Sequence, residues 1–378
     1  MTRPVAVPSR RLHREDFVPA IEPDDLLYFV LNVGDADCQL LVLPASDGAP
    51  REAIVVDVGR AGKLPPLVDA LDGLGLLGPL RVVVATHPHL DHIGGMPDLL
   101  DRYADRVAEY WDSGFRHPTP VYFEVLRTLE DRRATITYVQ PTSGMTRYFD
   151  RVRVTVLAPA ISLRNRYDSY GVDPNNASVC LKVEYPVTRT VEESDRRYLE
   201  ARERDDDGST RLVLGADAQM LSWGTVMADF PDLDPDNSPV LRALRMAGGV
   251  SPLRAEVLKV PHHCSKNGVT VELASTVRPA LSIVSSLAVG SSYGFPHALA
   301  QGALREARLP IAQRGLDRWP EADHDLGIHY TGAVDTGGRP LGSMCLVVKS
   351  TSSRIHLWRF RDAPDDGVDL STAYRFLP

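Results

Sequence analysis

The stretch of sequence that decides the fold is Thr86-His87-Pro88-His89-Leu90-Asp91-His92-Ile93-Gly94-Gly95. It follows residues 81–85, an apolar and β-prone run that predicts a strand. In an extended chain, His87 and His89 project to the same side, so both can hold one cation. Asp91 and His92 lie beyond a turn and can reach a second cation. The alternative is a polar loop whose histidines only cap the following helix.

The ligand types favour zinc at this site. Imidazole nitrogen and carboxylate oxygen suit Zn²⁺, and Mn²⁺ or Fe is also possible. We expect one or two ions. Gly94 and Gly95 let the backbone turn sharply into a helix that is predicted over residues 96–103.

The chain around this stretch alternates β and α patterns. Residues 26–33 and 39–43 are apolar and flank a turn composition, which predicts a hairpin. Further strands are predicted at residues 54–59, 152–157, 178–185, 211–215, 256–260, 281–285, 343–349 and 353–360. Further helices are predicted at residues 67–76, 118–129, 220–230 and 270–277. Residues 191–210 are dominated by Glu, Asp and Arg, which predicts a solvated hairpin extension.

The composition is that of a globular protein. The 378 residues are 43% hydrophobic and 24% charged, which excludes a disordered, collagenous or disulfide-scaffold protein. The formal charge of −8 argues against a general basic surface that holds long nucleic acid. We expect one domain over residues 26–360 with a charged insertion at about 188–210, an N-terminal extension over 1–25 and a tail over 361–378.

Cysteine usage and the apolar runs predict a cytoplasmic protein without a membrane segment. The four cysteines are far apart and form no CxxC pair, which fits a reducing compartment. We find no apolar run of signal-peptide length near the N-terminus, and no run approaches the ~18 residues that a membrane helix needs. These features leave the oligomeric state open.

The spacing His87-x-His89-x-Asp91-His92 resembles the HxHxDH signature of the metallo-β-lactamase superfamily. This resemblance implies a mixed α/β (α+β) fold, a four-layer αββα sandwich. Six further segments resemble, in chain order, the hydrolase domain of ComEC-type competence proteins. They are residues 29–37 (FVLNVGDAD), 55–59 (VVDVG), 175–178 (NNAS), 214–217 (LGAD), 257–265 (VLKVPHHCS) and 293–297 (YGFPH).

The resemblance extends the set of candidate site residues. It implies that Asp217 is a metal ligand, although a lone aspartate after a strand could instead cap the helix over residues 220–230. His262 and His263 end a predicted strand, where adjacent side chains point to opposite faces, so we expect one of them to be a ligand. We favour His263 as the ligand and His262 as a catalytic residue that either faces the substrate or supports a ligand from behind. His297 either contacts the leaving group or a phosphate oxygen, or is an ordinary loop residue.

Four other residues bear on the site. Asp57 either orients a histidine N–H or is a turn residue at a strand end. Asn175 and Asn176 stand where many superfamily members supply a further histidine, and this departure predicts weaker ligation of one metal. Cys264 replaces the glycine of an HHGS motif and is either an adventitious ligand or, as we favour, a buried small residue.

Together these features predict a metal-dependent hydrolase. The cations would activate a water that Asp91 or Asp217 orients, with Lys259, Lys266 or His297 as candidate helpers. Both lysines are better explained as ordinary charges, one at a strand end and one on the surface. The expected substrate is a phosphodiester, in a small molecule or in nucleic acid, because the resembled branch contains such activities. The alternatives are hydrolysis of a lactone, thioester or amide, and a non-catalytic metal-containing binding protein. The expected metal ligands are His87, His89, Asp91, His92, Asp217 and His263.

Overall fold

The structure is a computed structural model that describes residues 6–45, 49–164, 172–193, 196–201, 209–231, 252–287, 291–309, 322–350 and 354–377. The strands among these residues are β1 (Ala6–Val7), β2 (Leu12–Arg14), β3 (Leu26–Val30), β4 (Cys38–Val42), β5 (Ala53–Val58), β6 (Leu80–Ala85), β7 (Val107–Asp112), β8 (Thr137–Val139), β9 (Thr146–Phe149), β10 (Val152–Ala158), β11 (Cys180–Tyr185), β12 (Thr188–Glu193), β13 (Arg196–Ala201), β14 (Thr210–Leu214), β15 (Val257–Lys259), β16 (Leu281–Val284), β17 (Ile328–Tyr330), β18 (Val334–Asp335), β19 (Met344–Val348), β20 (Ile355–Arg359) and β21 (Tyr374–Phe376). The α-helices are α1 (Leu64–Gly73), α2 (Leu90–Ile93), α3 (Met96–Tyr103), α4 (Pro120–Asp131), α5 (Ile161–Arg164), α6 (Met220–Asp229), α7 (Val271–Val277) and α8 (Ala298–Arg308).

Two large sheets contain most of the strands. The ten-stranded sheet has the order β2-β21-β20-β19-β3-β4-β5-β6-β7-β8, and the seven-stranded sheet has the order β17-β16-β15-β14-β11-β10-β9. Strands β5 to β8 are parallel neighbours in the first sheet. Strands β14 to β17 are parallel neighbours in the second. Each sheet therefore has one edge at which several parallel strands end together, and ligand sites in α/β proteins commonly lie at such edges.

The residues of β3 alternate between two cores. Tyr28 packs with Leu181 of β11 in the core between the sheets. Phe29, the next residue, packs with Leu67 of α1 and Val125 of α4 on the outer face of the larger sheet. This period of two is the pattern of a strand that is buried on both faces.

Helices cover the smaller sheet as well. Trp223 of α6, Leu273 of α7 and Leu304 of α8 pack into the same core as Leu258 of β15. Each such buried side chain contributes roughly 1.5–3 kcal/mol relative to an exposed one. The order of layers is helix, sheet, sheet, helix, which confirms the predicted αββα sandwich.

Most predicted elements form close to their expected bounds. The predicted hairpin is β3 and β4, which pair antiparallel. Helix α3 (Met96–Tyr103) has the predicted bounds, whereas α1 begins at Leu64, three residues before the predicted start, because Pro65 and Pro66 suit the first helical turn. Strand β7 (Val107–Asp112) was not predicted, because acidic and apolar residues are mixed along it. Helix α8 was not predicted either.

The charged insertion forms a hairpin of its own, in which β12 pairs antiparallel with β13. Residues 194–195 and 202–208 of this insertion lie outside the described residues. Strands β2 and β21 fall in the predicted N-terminal extension and tail, and they pair with each other at an edge of the larger sheet. The predicted domain boundaries stay a prediction. No helix in the described part of the chain is both long and apolar enough to span a membrane.

Candidate metal centre

The histidine-rich stretch lies at the edges where the parallel strands end. Strand β6 ends at Ala85 and leads directly into it, and the neighbouring β5 ends at Val58. In the other sheet, β14 and β15 end shortly before Asp217 and His262. The fold thus brings loops from both sheets to one place.

Asp57 connects this stretch to β5. Its Oδ1 accepts a hydrogen bond from Thr86 N at 2.8 Å, and its Oδ2 accepts one from Thr86 Oγ1 at 2.8 Å. The same Oδ2 lies 2.7 Å from His92 Nδ1, and all three side chains are buried. A carboxylate that accepts the Nδ1 proton leaves Nε2 free to act as a ligand atom. The contact supports the orienting interpretation of Asp57.

Asp217 lies at the centre of the cluster, and its two oxygens face different histidines. Oδ1 lies 3.2 Å from His92 Nε2 and 3.6 Å from His263 Nε2. Oδ2 lies 3.9 Å from His87 Nε2 and 3.6 Å from His262 Nε2. The carboxylate therefore stands between two groups of imidazole nitrogens.

His89 and Asp91 form the more open side of the cluster. His89 Nδ1 is 3.0 Å from His87 Nε2. Asp91 Oδ2 is 3.5 Å from His263 Nε2 and 3.9 Å from His92 Nε2. The Asp91 side chain is 39% exposed, against 2% for Asp217, so Asp91 is the carboxylate that solvent and a substrate can reach.

The carboxylates and imidazoles of the cluster stabilise each other's charged forms against the effect of burial. Burial alone would raise the pKa of Asp217, but His92 and His263 hold that pKa well below its usual value. Burial alone would lower the pKa of His92, but the carboxylates of Asp217 and Asp57 hold it well above its usual value. Burial opposes the charge of Asp91 too, yet the nearby imidazoles of His263 and His92 keep the pKa of Asp91 below the ordinary range. Both Asp217 and Asp91 are thus ionised at neutral pH, as carboxylates that hold a cation must be.

Unsatisfied atoms point into the cluster. His92 Nε2, Asp217 Oδ1 and His263 Nε2 are buried and have no hydrogen-bond partner. Ligand atoms of these three residues and of Asp91 all lie within 4.8 Å of one another. Buried polar atoms without partners are costly in a folded protein. A divalent cation would satisfy all of them, so the residues fit a metal ion.

The backbone at His262 and His263 corrects one expectation. Strand β15 ends at Lys259, and the two histidines lie in a 3₁₀ turn, Pro261–Cys264, with φ angles of 48° and 50°. They do not alternate as on a strand, and the left-handed backbone directs both imidazoles towards Asp217. His263 Nδ1 lies 3.0 Å from Ser285 O, which leaves Nε2 for the cluster.

Cys264 continues this turn with a φ of 65°. A positive φ is easiest for glycine, which is the residue of the resembled motif at this position. The cysteine is fully buried, and burial raises the pKa of its thiol. These facts fit the interpretation of a buried small residue.

Three predicted candidates lie outside the cluster. His297 is the N-cap of α8, where its Nδ1 accepts a hydrogen bond from Leu299 N at 3.2 Å. Asn176 Oδ1 accepts one from Ser222 N, and Asn175 Oδ1 is buried without a hydrogen-bond partner. Within the described ranges, no hydrogen bond or ion pair joins these three side chains to the histidines and aspartates of the cluster.

Lys259 is the last residue of β15, as the strand-end interpretation predicts. It is fully buried, and its Nζ lies 2.7 Å from Asp37 Oδ1. The positive charge of Lys259 is therefore paired with the carboxylate of Asp37. Lys266 is exposed, as expected for a surface charge.

Sequence reasoning missed several neighbours of the cluster. Thr86 and Asp37 stand in the motif segments of the sequence, but only their contacts in the fold reveal their roles. The His117 ring lies 5.2 Å from that of His89, and a lone histidine in a loop gives no sequence signal. Phe295 lies 5.5 Å from His262, centroid to centroid, within the segment in which only His297 was singled out.

Comparisons with known proteins give one match to a family. Residues 48–190 match the model of the metallo-β-lactamase superfamily. A segment of 54 residues is 48% identical to the hydroxyacylglutathione hydrolase of Synechococcus sp. (strain WH7803), and it covers 14% of this chain and 19% of that protein. The chain thus spans about a fifth of the length of that relative.

Among solved structures, the metallo-β-lactamase fold protein YhfI from Bacillus subtilis aligns at 11% identity with a TM-score of 0.37, over 74% of this chain and 93% of that one. The long form of RNase Z from yeast aligns at 10% identity with a TM-score of 0.35, over 71% and 38%. The family model spans β5, β6 and the whole HxHxDH stretch. The part of the chain that is similar to the metallo-β-lactamase superfamily model thus includes the candidate metal-binding stretch.

Proposed function

We propose that this protein is a metal-dependent hydrolase with two cation positions, one on each side of Asp217. The observation that carries the proposal is the pair of Asp217 oxygens, each of which faces its own histidines. A carboxylate whose two oxygens face separate sets of imidazole nitrogens would help to hold a cation on either side, as two-metal hydrolytic sites require. Zn²⁺ suits the nitrogen-rich ligand set, and Mn²⁺ or Fe remains compatible with it.

The ligands divide into two groups on this proposal. His87, His89 and His262 lie on the side of Oδ2. Asp91, His92 and His263 lie on the side of Oδ1. We thus propose His262 as a ligand, in place of the substrate-facing or supporting role that the sequence favoured. It would supply the nitrogen that Asn175 and Asn176 do not.

Asp91 is the residue we propose to handle the proton. When bound, the cations would lower the pKa of water towards neutrality and polarise the bond under attack. Asp91 is ionised and partly exposed, so its free carboxylate oxygen can orient a water molecule and accept its proton. Asp57 holds His92 in place, and Ser285 O does the same for His263.

The substrate class we propose is a phosphodiester, in a nucleotide or in single-stranded nucleic acid. Its support is the ordered set of segments that resemble the ComEC-type hydrolase domain, together with the acidic net charge, which disfavours long duplexes. All four cysteines are free, which supports the proposed cytoplasmic location.

A second candidate is hydrolysis of a non-phosphate bond. It is favoured by one observation, the 54-residue match to a protein whose name describes an acylglutathione hydrolase. The same ionised Asp91 could serve attack on an acyl carbon. The two candidate functions differ in their substrate and use the same metal centre.

A substrate panel tests the proposal. Purified protein with Zn²⁺ or Mn²⁺ would be assayed on bis-p-nitrophenyl phosphate, single-stranded and duplex DNA, RNA, cyclic nucleotides, a lactone and an acylglutathione thioester. We expect turnover of phosphodiesters that Asp91→Ala lowers by about 100-fold or more. The exposed Asp101 of α3 offers a matched control, Asp101→Ala, which should retain full activity. Full activity of Asp91→Ala, or a protein that binds no metal, would contradict the proposal.

A further inference from the structure

A ladder of aromatic rings leads outward from the metal centre. The ring centroid of Phe295 lies 5.5 Å from that of His262 and 5.7 Å from that of His263. The ring of Tyr293 stacks on Phe295, with centroids 5.9 Å apart and planes inclined by 22°. Tyr293 is 74% exposed, the highest value among the large apolar side chains in the described part of the chain. The ladder therefore ends in a flat ring that faces solvent beside the centre.

The turn that carries the ladder is fixed without any ligand. Ser291 Oγ accepts hydrogen bonds from Tyr293 N at 3.2 Å and from Phe295 N at 3.1 Å. Gly294, between the two aromatic residues, has a φ of 74°, which a residue with a Cβ rarely adopts. His297 N donates to Cys264 O at 2.9 Å, which ties the segment to the histidine turn. Because the turn already holds the rings in position, the binding of a ligand would cost little entropy for ordering them.

Scattered exposed apolar side chains are common on proteins and need no explanation. Tyr293 differs from them in two respects. It belongs to a continuous series of ring contacts that reaches two residues of the metal centre, and its ring is stacked on that of Phe295. A flat ring of the substrate can extend such a stack by one member.

We propose that the exposed face of Tyr293 binds a nucleobase of the substrate, while the adjoining phosphodiester lies at the metal centre. This inference rests on the phosphodiesterase proposed above and specifies its substrate. A stacking platform accepts any base, because every base has a π face, so we expect weak discrimination between bases. Bases inside a duplex are covered on both faces by their neighbours. The platform therefore favours nucleotides and single strands.

Two substrates with one leaving group test this subsite. Thymidine 5′-(p-nitrophenyl phosphate) and methyl p-nitrophenyl phosphate release the same p-nitrophenol and differ in the nucleoside. The unsubstituted protein should have the lower KM for the thymidine ester, by about 5-fold to about 150-fold, the range that one stacked base contributes. Tyr293→Ala should bring the ratio of the two KM values close to one, and Tyr293→Phe, which keeps the ring, should preserve it. Tyr148→Ala, at an exposed tyrosine of β9, is the control that should change neither KM.

A binding measurement separates this inference from the proposed activity. Calorimetric titration of the metal-free protein with adenosine 5′-monophosphate and with inorganic phosphate requires no turnover. A preference for the nucleotide that Tyr293→Ala abolishes would support the subsite even if neither ester is hydrolysed, in which case only the proposed hydrolysis fails. If the esters are hydrolysed but Tyr293→Ala leaves the KM ratio and the nucleotide preference unchanged, the subsite is wrong and the hydrolase stands. An equal loss of affinity for both esters would overturn the nucleobase as occupant, since the ring of the leaving group would then occupy Tyr293.

Discussion

Asp57 Oδ2 and His92 Nδ1 lie 2.7 Å apart in a contact that is closed to solvent. The contact fixes the orientation of the imidazole, so that His92 Nε2 faces Asp217 Oδ1 at 3.2 Å. It also joins β5 to the loop after β6 through Thr86, which hydrogen-bonds both oxygens of Asp57. The carboxylate thus orients a proposed metal ligand through the imidazole nitrogen that faces away from Asp217.

Removal of the negative charge at position 57 should weaken metal binding. Asp57→Asn keeps the size of the side chain but cannot hold the Nδ1 proton of His92 as a carboxylate does. Loss of such a partner costs about 10–100-fold in metal affinity, which a competition titration with a chromogenic zinc chelator measures. Asp101→Asn, on the exposed side of α3, should leave the affinity unchanged. An unaltered affinity in correctly folded Asp57→Asn would refute the orienting role.

Gly59 is required because the chain passes very close to it. A Cβ at this position would lie 2.0 Å from Asp91 O and 2.9 Å from Ala36 Cβ, so Gly59→Ala must displace the loop that carries the proposed ligands. We expect a loss of about 1–3 kcal/mol in the free energy of unfolding, the usual range for overpacking, together with reduced metal content. Urea denaturation measures the free energy of unfolding, and elemental analysis measures the metal content.

The control for this substitution is another glycine. Gly302 lies within α8, and a Cβ there would meet no atom within 4 Å. Gly302→Ala should therefore stabilise the protein by about 0.5–1 kcal/mol, since glycine is a poor helix former. If Gly59→Ala and Gly302→Ala changed the free energy of unfolding equally, the close approach of Asp91 O would not be the reason that position 59 requires glycine.

The sequence was informative where the ligands are close together in the chain. His87 to His92 lie within one loop, so their spacing alone predicts a metal site, and the strand before them fixes its place in the fold. The apolar period of two likewise predicts strands such as β3 and β5. Local patterns of this kind can be recognised in the sequence because each depends only on residues that are close together in the chain.

Other features depend on contacts that no local pattern encodes. His262 appeared to end a strand, and only its left-handed backbone brings it to the same carboxylate as His263. Lys259 appeared to be an ordinary charge, because its partner Asp37 is 222 residues away in the sequence. Such pairings are set by the packing of the two sheets.

The buried pair of Lys259 and Asp37 should be essential for stability. Lys259→Met leaves the Asp37 carboxylate buried without its cation, and breaking a buried pair in this way typically costs about 3–5 kcal/mol. The double variant Lys259→Met/Asp37→Leu removes both charges and should recover much of that loss. Urea denaturation of both variants measures the difference.

A nearby lysine supplies the matched control. Lys266→Met, at an exposed position seven residues further along, should change the free energy of unfolding by less than about 0.5 kcal/mol. If the single Lys259→Met variant were as stable as this control, the ion pair would be dispensable.

His329 of β17 should make the stability depend on pH at a site remote from the ligand cluster. Its side chain is buried, and burial, with the positive charge of Arg359 and the nearby His324 as smaller causes, holds its pKa well below the ordinary value. The folded protein thus keeps His329 neutral, whereas the unfolded chain takes up a proton below a pH of about 6.5. Because the unfolded state then binds more protons, stability is full above that pH and falls as the pH decreases below it.

This single group should cost about 1 kcal/mol between pH 6.5 and 5.5. Urea denaturation at pH 7.5, 6.5 and 5.5 measures the slope, and His329→Gln, which does not titrate, should reduce it by that amount. Histidines of the metal cluster contribute equally to both proteins and cancel in the difference. His13→Gln, at an exposed histidine of β2, should leave the slope as it is in the unsubstituted protein. A slope that His329→Gln does not change would show that His329 is not neutral in the folded state, or that a compensating group takes its proton.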